Sequence, residues 1–175
     1  SSRNLFIGYY NKESDWWMGV NIKAHKSSVI SCDIDPTSLF VISGSIDCRI
    51  YVSSCYLPDI DDAHLTEQQK PLAQKFGAVI FEFKPNAWVN SVIWNLSGNY
   101  AFAASQNSTV AVIDYKNNKS ELIKLRHSPP NLLLPNGENS FYAICYDRNI
   151  YEYSLTDEAW KLTRKITEKK DVEKD

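Results

Sequence analysis

The chain repeats one strand-turn-strand pattern three times, and this repeat restricts the fold more than any other feature of its 175 residues. In the first copy an alternating segment, 29–34, precedes turn residues 35–38, and a continuous apolar run, 39–42, precedes a second turn and the segment 49–52. Alternation is typical of a half-buried strand, and a short apolar run bounded by turns is typical of a buried one. The first copy therefore predicts a meander of three strands.

The same order of elements returns at 89–113 and at 131–153. Asn107 and Asp147 occupy equivalent turn positions about 40 residues apart, which is the period of four-stranded propeller blades. Asp47 precedes Asn107 by about 60 residues, and the excess of roughly 20 indicates an insertion within the first copy.

Each copy also has a candidate outer strand with the polar residues of a sheet edge. These candidates are 78–83, 121–125 and 160–164. Residues 5–10 and 16–22 have the pattern of the last two strands of an earlier blade. The aromatic content of 13% also favours strands. We therefore predict an all-β propeller, as a partial ring of about three and a half four-stranded blades.

The repeat also predicts the organisation of the chain. Its parts are a half blade at 1–24, a blade at 25–86 with an insertion at 56–77, a blade at 87–126, a blade at 127–170 and a tail at 171–175. Blade sheets have two apolar faces, so an open ring leaves its end faces uncovered. We expect flanking residues of a longer parent protein to complete the ring, and the isolated chain to self-associate. An unrelated β-sandwich is the alternative, which the aligned turns disfavour.

Charge and cysteine usage narrow the functional classes. Nineteen Lys and Arg oppose 21 Asp and Glu, which argues against nucleic acid and anionic membranes as partners. The longest apolar runs are far shorter than the roughly 18 residues of a membrane span. The four cysteines have no Cys-x-x-Cys spacing, so we expect no zinc site and free thiols in a reducing compartment, the cytosol or nucleus.

No catalytic, cofactor-binding or metal-binding residue is predicted. Ser43-Gly44-Ser45 lacks the Gly-x-Ser-x-Gly spacing of a nucleophile elbow. We expect no pocket in which a histidine reaches a Ser, Cys or carboxylate. The densest acidic group lacks the spacing of a calcium loop and indicates a solvated loop. Its members are Asp59, Asp61, Asp62 and His64.

The insertion is the strongest candidate for a partner-binding segment. Residues 63–69 suit a helical turn or two that ends near Pro71. A loop of this length in a compact repeat is usually functional or disordered. The residues that we expect to contact a partner are Leu57, Ile60, Leu65 and Phe76. The mixed charges of 165–171 predict a frayed, solvated end rather than a basic binding patch.

Two short motifs resemble the WD40 repeat family. They are Ser43-Gly44-Ser45-Ile46-Asp47, followed by the strand-like segment 49–52, and Ala24-His25. The Trp-Asp dipeptide of that family is absent, and Ser53-Ser54, Ile113-Asp114 and Tyr153-Ser154 hold its positions. The resemblance implies a partial structural hydrogen-bond network of His25, Ser43 and Asp47, with Asn107 and Asp147 at the equivalent turns.

A second set of residues is similar to the WD-repeat subunits of the actin-related protein 2/3 complex. It includes the block 11–17, which ends in Asp15-Trp16-Trp17, Phe76-Gly77 before an outer strand, and Trp88-Val89. This resemblance implies a non-catalytic scaffold, without cofactors, in the cytoplasm and cytoskeleton. Its implied partners are actin-related proteins, the other complex subunits and actin, and its implied role is nucleation of branched filaments. The alternative is a WD40 scaffold of another complex that binds peptides or partner subunits.

Overall fold

The computed structural model describes residues 3–62, 65–67 and 69–166. Within these ranges the chain forms fourteen strands and two short helical turns. The strands are β1 (Leu5–Asn11), β2 (Trp16–Ile22), β3 (Val29–Ile34), β4 (Phe40–Ser45), β5 (Ile50–Ser54), β6 (Val79–Phe83), β7 (Val89–Trp94), β8 (Ala101–Ser105), β9 (Thr109–Asp114), β10 (Lys119–Lys124), β11 (Pro130–Pro135), β12 (Ser140–Cys145), β13 (Ile150–Thr156) and β14 (Ala159–Ile166). Neither helical turn is long or apolar enough to cross a membrane.

The strands form four antiparallel sheets in which each strand pairs with the one before it in the chain. We call β1–β2 the half blade, β3–β6 the first blade, β7–β10 the middle blade and β11–β14 the last blade. Each of the three complete blades has four strands and the half blade has two. The prediction of an all-β fold that forms part of a propeller is therefore confirmed.

The turn between the second and third strands of each complete blade has the same conformation. The residue after Asp47, Asn107 or Asp147 lies in the left-handed region, with φ angles of 62°, 58° and 62° respectively. Aspartate and asparagine bond the backbone two residues further on and so stabilise such turns. Accordingly, Asp47 Oδ1 and Asp147 Oδ1 each accept a backbone N–H bond of 3.1 Å. This shared turn fixes the register of each hairpin.

The core lies in layers between neighbouring sheets. One layer packs the first blade on the middle blade, and it contains Phe40, Ile42 and Ile113, all fully buried. The second packs the middle blade on the last, where the rings of Phe102 and Phe141 lie 4.7 Å apart. A smaller layer joins the half blade to the first blade. The middle blade, with a complete blade on each side, is thus the most buried sheet.

Hydrogen bonds between inner strands also join the blades. The hydroxyl of Ser31 on β3 accepts the backbone N–H of Val92 on β7, at 3.0 Å. One blade further along, the hydroxyl of Ser91 accepts the backbone N–H of Leu133 on β11, at 3.1 Å. Because backbone amides of one sheet bond to side chains of the next, the blades are held in a defined relative position.

The insertion differs from its predicted structure. A one-turn helix, α1, covers Pro58–Asp61, and a 3-10 turn covers Lys70–Leu72. Residues 65–67 and Gln69 are not helical, while 63, 64 and 68 lie outside the described residues. Each helical turn has a proline in its first turn, where the missing N–H costs nothing, so Pro71 starts a turn rather than ending one.

The predicted C-terminal segment is described only in part. Lys165 and Ile166 belong to β14, which pairs with β13. Residues 167–175, which include the rest of the predicted solvated end and the predicted tail, lie outside the described residues.

Candidate functional site

The structure brings His25, Ser43 and Asp47 together in the first blade. His25 precedes β3, Ser43 lies in β4 and Asp47 lies in the β4–β5 turn. The imidazole Nε2 is 3.0 Å from Ser43 Oγ, and Nδ1 is 3.1 Å from Asp47 Oδ2. The same carboxylate oxygen accepts the backbone N–H of Lys26 at 2.7 Å. The network thus joins the loop before β3 to the hairpin beside it.

Hydrogen-bonding capacity fixes the proton positions in this network. An ionised carboxylate only accepts, so Nδ1 of His25 donates to Asp47 and Nε2 accepts the Ser43 hydroxyl. Burial lowers the pKa of His25, while the charge of Asp47 acts in the opposite direction. Burial wins, so the neutral form of the imidazole is favoured in the folded chain.

The three residues have the composition of a catalytic triad, and His25 reaches the serine and the carboxylate of the predicted structural network. The side chains of His25 and Asp47 are only 2% and 6% exposed, and Ser43 is buried. None of the three residues lines any of four well-defined surface grooves formed by the described residues. A nucleophile must contact its substrate, so this arrangement is suited to structural support.

The middle blade replaces this network with small apolar residues. Strand register aligns Ala103 with Ser43 and Pro85 with His25. Asn107, at the position of Asp47, accepts the hydroxyl of Thr109 at 2.7 Å. The predicted network residue therefore has only a local role in its own turn.

The last blade has a different aromatic cluster that the sequence analysis does not identify. The His127 ring stacks on Tyr151, with centroids 3.7 Å apart, and its Nε2 lies 2.7 Å from the hydroxyl of Tyr153. Strand register places Arg126, not His127, at the position of His25. The one-residue offset carries the imidazole away from Asp147 and onto the tyrosines.

Asp147 is instead bonded to its own hairpin. Its Oδ2 accepts the hydroxyl of Tyr151 at 2.7 Å, and its Oδ1 accepts the backbone N–H of Asn149. Desolvation raises the pKa of Asp147, but the hydrogen bonds from Tyr151, Asn149 and Ser128 outweigh it and lower that pKa to about 2. Tyr151 therefore replaces the histidine as the donor to this turn carboxylate.

A thiol also lies beside His127. Cys145 Sγ is 3.4 Å from Nδ1 of the imidazole, which gives a second histidine within reach of a potential nucleophile. Burial raises the pKa of Cys145 to about 12, so the group is a thiol rather than a thiolate at neutral pH. Reactive cysteines have a lowered pKa, whereas the pKa of Cys145 is raised, so this side chain is suited to packing rather than to nucleophilic chemistry.

Three of the four predicted partner-binding residues share one surface groove. Leu57, Ile60 and Phe76 line a groove of about 440 Å³ between the insertion and β1, and we call it the insertion groove. Ile60 is 57% exposed. The fourth residue, Leu65, packs against the core layer between the first and middle blades. The groove thus presents an apolar surface beside the half blade.

The acidic residues of the insertion bond locally. Asp61 accepts the backbone N–H of Leu57 at 2.7 Å, and Asp62 accepts the hydroxyl of Tyr56. His64, the fourth member of the acidic group, lies outside the described residues. Within the ranges that the structure describes, no three His, Cys, Asp or Glu side chains are placed to hold a metal ion.

Sequence analysis also missed two buried turn residues. Asp35 and Asn95 follow β3 and β7 and are each 2% exposed. Asp35 Oδ1 accepts the backbone N–H of Phe40 at 2.7 Å, and Asn95 Oδ1 accepts that of Tyr100 at 3.1 Å. Their positions directly after a strand, at the start of the turns Asp35-Pro36-Thr37-Ser38 and Asn95-Leu96-Ser97-Gly98, are a signal that could have identified their role.

Comparison with known proteins agrees with the geometry. Residues 18–52 and 77–114 match the family model described as WD domain, G-beta repeat. The chain therefore contains WD40 repeats, and its four-stranded antiparallel sheets form part of a β-propeller.

Over most of its length the chain is also similar to subunit 1 of the actin-related protein 2/3 complex. It is 31% identical over 153 residues to subunit 1A-B of Xenopus laevis, a match that covers 83% of the chain and 40% of the relative. It is 26% identical over 175 residues to subunit 1 of Schizosaccharomyces pombe, a match that covers 94% of the chain and 45% of the relative. It is 26% identical over 174 residues to subunit 1B of Arabidopsis thaliana, a match that covers 97% of the chain and 46% of the relative. The chain thus spans less than half the length of these relatives.

Proposed function

We propose that the chain acts as a non-catalytic scaffold subunit of an actin-related protein 2/3 complex and supports nucleation and branching of actin filaments. The observation that carries this proposal is the extent of the similarity, which covers 94% and 97% of the chain in two of the relatives. A match of that extent includes the half blade and the insertion as well as the repeats. It therefore favours this complex over WD40 scaffolds in general.

The physical character of the blades suits a scaffold. Buried core layers and inner-strand hydrogen bonds fix adjacent sheets, so the connecting loops are presented in defined positions. The polar triad of the first blade lies beneath the surface, which supports a structural role for it rather than catalysis. The cytoplasm and the cytoskeleton are the corresponding location.

The insertion groove is our proposed contact surface for a partner subunit. Leu57, Ile60 and Phe76 form one wall, and Leu5, Ile7 and Tyr9 of β1 form the other. Partner interfaces bury apolar anchors of this kind at their centre. Leu65 belongs to the proposal as the residue that supports the insertion from the core side. Actin-related proteins, the other complex subunits and actin are the proposed partners.

Affinity purification of the tagged chain from its own cells tests the proposal. We expect actin-related proteins to be recovered with the wild-type chain and in smaller amount with Ile60→Asp. Leu96→Asp is the matched control, because Leu96 is also 57% exposed but lies in a turn of the middle blade. Absence of actin-related proteins under mild lysis would overturn the proposal, and recovery of a different assembly would favour the alternative WD40 scaffold.

A further inference from the structure

A second groove lies between the middle and last blades, far from the insertion in sequence. It has a volume of about 650 Å³, and we call it the interblade groove. Its floor is apolar and includes Tyr100, Val112 and Trp160. The rings of Tyr100 and Trp160 meet edge to face, with centroids 6.1 Å apart. Both walls belong to complete four-stranded blades.

The rim of the interblade groove carries an excess of negative charge. Asp114, Glu121 and Glu158 line it, and Lys119 is the single cationic side chain among its described lining residues. In the described part of the chain, no Lys, Arg or His forms an ion pair with any of these three carboxylates. Asp114 accepts hydrogen bonds from Asn117 at both carboxylate oxygens, so Glu121 and Glu158 carry the charge that is available to a ligand.

The shape of the groove suits an extended chain. One wall is formed by the consecutive residues Lys119, Ser120 and Glu121 of β10. In the described structure β10 is the outermost strand of its sheet, with β9 as its only partner. The opposite wall comes from Leu155, near the end of β13, and Glu158, in the β13–β14 turn. A trough that follows a sheet edge fits an extended segment better than a globular surface.

We propose that the interblade groove binds an extended segment of a partner protein in which an apolar residue is flanked by Arg or Lys. The apolar side chain packs on the Tyr100–Trp160 floor. The long cationic side chains on either side reach the carboxylates of Glu121 and Glu158. Complementary charge of this kind selects the partner and its register more than it adds affinity. This surface is separate from the insertion groove and does not depend on the proposed function.

A short synthetic peptide tests the proposal. The probe is fluorescein-labelled Gly-Arg-Leu-Arg-Gly, titrated with the full chain and followed by fluorescence anisotropy. We expect saturable binding with one peptide per chain, and at least tenfold weaker binding to the double variant Glu121→Lys, Glu158→Lys. The matched control is Glu13→Lys, Asp59→Lys, which makes the same change in net charge beside the insertion and should alter binding less than twofold. Circular dichroism verifies that each variant keeps its β structure.

A site-specific signal in the wild-type chain makes the test independent of the variants. The indole N–H of Trp160, assigned with Trp160→Phe, should shift in nitrogen-proton NMR spectra when the peptide is added. A peptide with Glu in place of both Arg residues should leave that signal unchanged. An unmoved Trp160 signal, equal weakening by the two double variants, or no saturable binding would each overturn the proposal.

Discussion

Replacing Gly44 with alanine tests how closely the first and middle blades approach. A Cβ atom on Gly44 would lie 2.4 Å from Val89 Cγ1 and 2.9 Å from Val92 Cγ1. Ordinary carbon contacts are about 3.5 to 4.0 Å, so the new methyl group must move roughly 1 Å from Val89. Gly44 pairs with Ser31 on one side and Ile50 on the other, which prevents its strand from shifting alone.

The expected loss of stability follows from two opposing terms. Overpacking a close-packed core costs about 1 to 3 kcal/mol. Replacing glycine reduces the entropy of the unfolded chain and recovers about 0.4 to 1 kcal/mol. The free energy of unfolding of Gly44→Ala should therefore fall by about 1 to 2 kcal/mol. With a urea m-value of about 2 kcal/mol/M, the midpoint should fall by about 0.5 to 1 M.

Urea unfolding followed by circular dichroism measures this change, and a double-mutant cycle identifies its cause. Gly44→Ala should cost less in a Val89→Ala background, with a coupling energy of at least about 0.5 kcal/mol, because the nearest methyl group is then absent. Gly8→Ala is the control, because Gly8 is exposed and a Cβ atom added there would lie 3.2 Å from its nearest neighbours. Additive effects, or equal effects at the two glycines, would refute the reasoning.

Three further predictions concern protons, thiols and association. Burial lowers the pKa of His25 below its ordinary value of 6.5, so the unfolded chain binds more protons at this residue than the folded chain does. The contribution of His25 to stability is therefore present above pH 6.5 and is lost as the pH falls. When the pH is lowered from 7.5 to 5.5, the urea midpoint should thus decrease more for the wild type than for His25→Gln, and equal decreases would contradict this. Burial raises the pKa of Cys55 and Cys145 to about 12, so iodoacetamide at pH 8 should label the exposed Cys32 before either of them; simultaneous labelling by peptide mass spectrometry would disprove their protection. Ile30 and Ile34 are exposed on β3 of the first blade, and Leu132 and Leu134 are exposed on β11 of the last blade. Covering such surface is worth roughly 25 cal/mol per Å², so the isolated chain should sediment at micromolar concentration as a dimer or larger species, and a sharp 20.0 kDa species would argue against it.

The strands are largely predictable because each is a short apolar or alternating run between turn residues. The bounds of β3 and β7 follow directly from the sequence, since Asp35-Pro36 and Asn95 end those strands. The insertion is harder, because helix propensity favours 63–69 while the first helical turn begins at Pro58. A proline followed by Asp59 and Asp61 is a start signal that propensity alone underestimates.

The polar sites are less predictable than the strands. His25, Ser43 and Asp47 are identified by a family motif whose spacing the first blade keeps. His127 is not, because it lies one position beyond the equivalent of His25, and that offset gives it tyrosine partners from β13. The interblade groove has no sequence signal, since Glu121 and Glu158 meet only when two blades pack side by side.

The inner-strand hydrogen bonds also have a consequence for synthesis on the ribosome. Ser31 bonds to β7 and Ser91 bonds to β11, so each bond joins a blade to the one made just after it. A nascent first blade can therefore close as soon as β6 has left the exit tunnel, and it then offers a template for the middle blade. The insertion delays the closure of this blade, because about 25 residues must be synthesised after β5 before β6 can pair with it. Lengthening the insertion should thus slow the appearance of the first blade more than it lowers final stability.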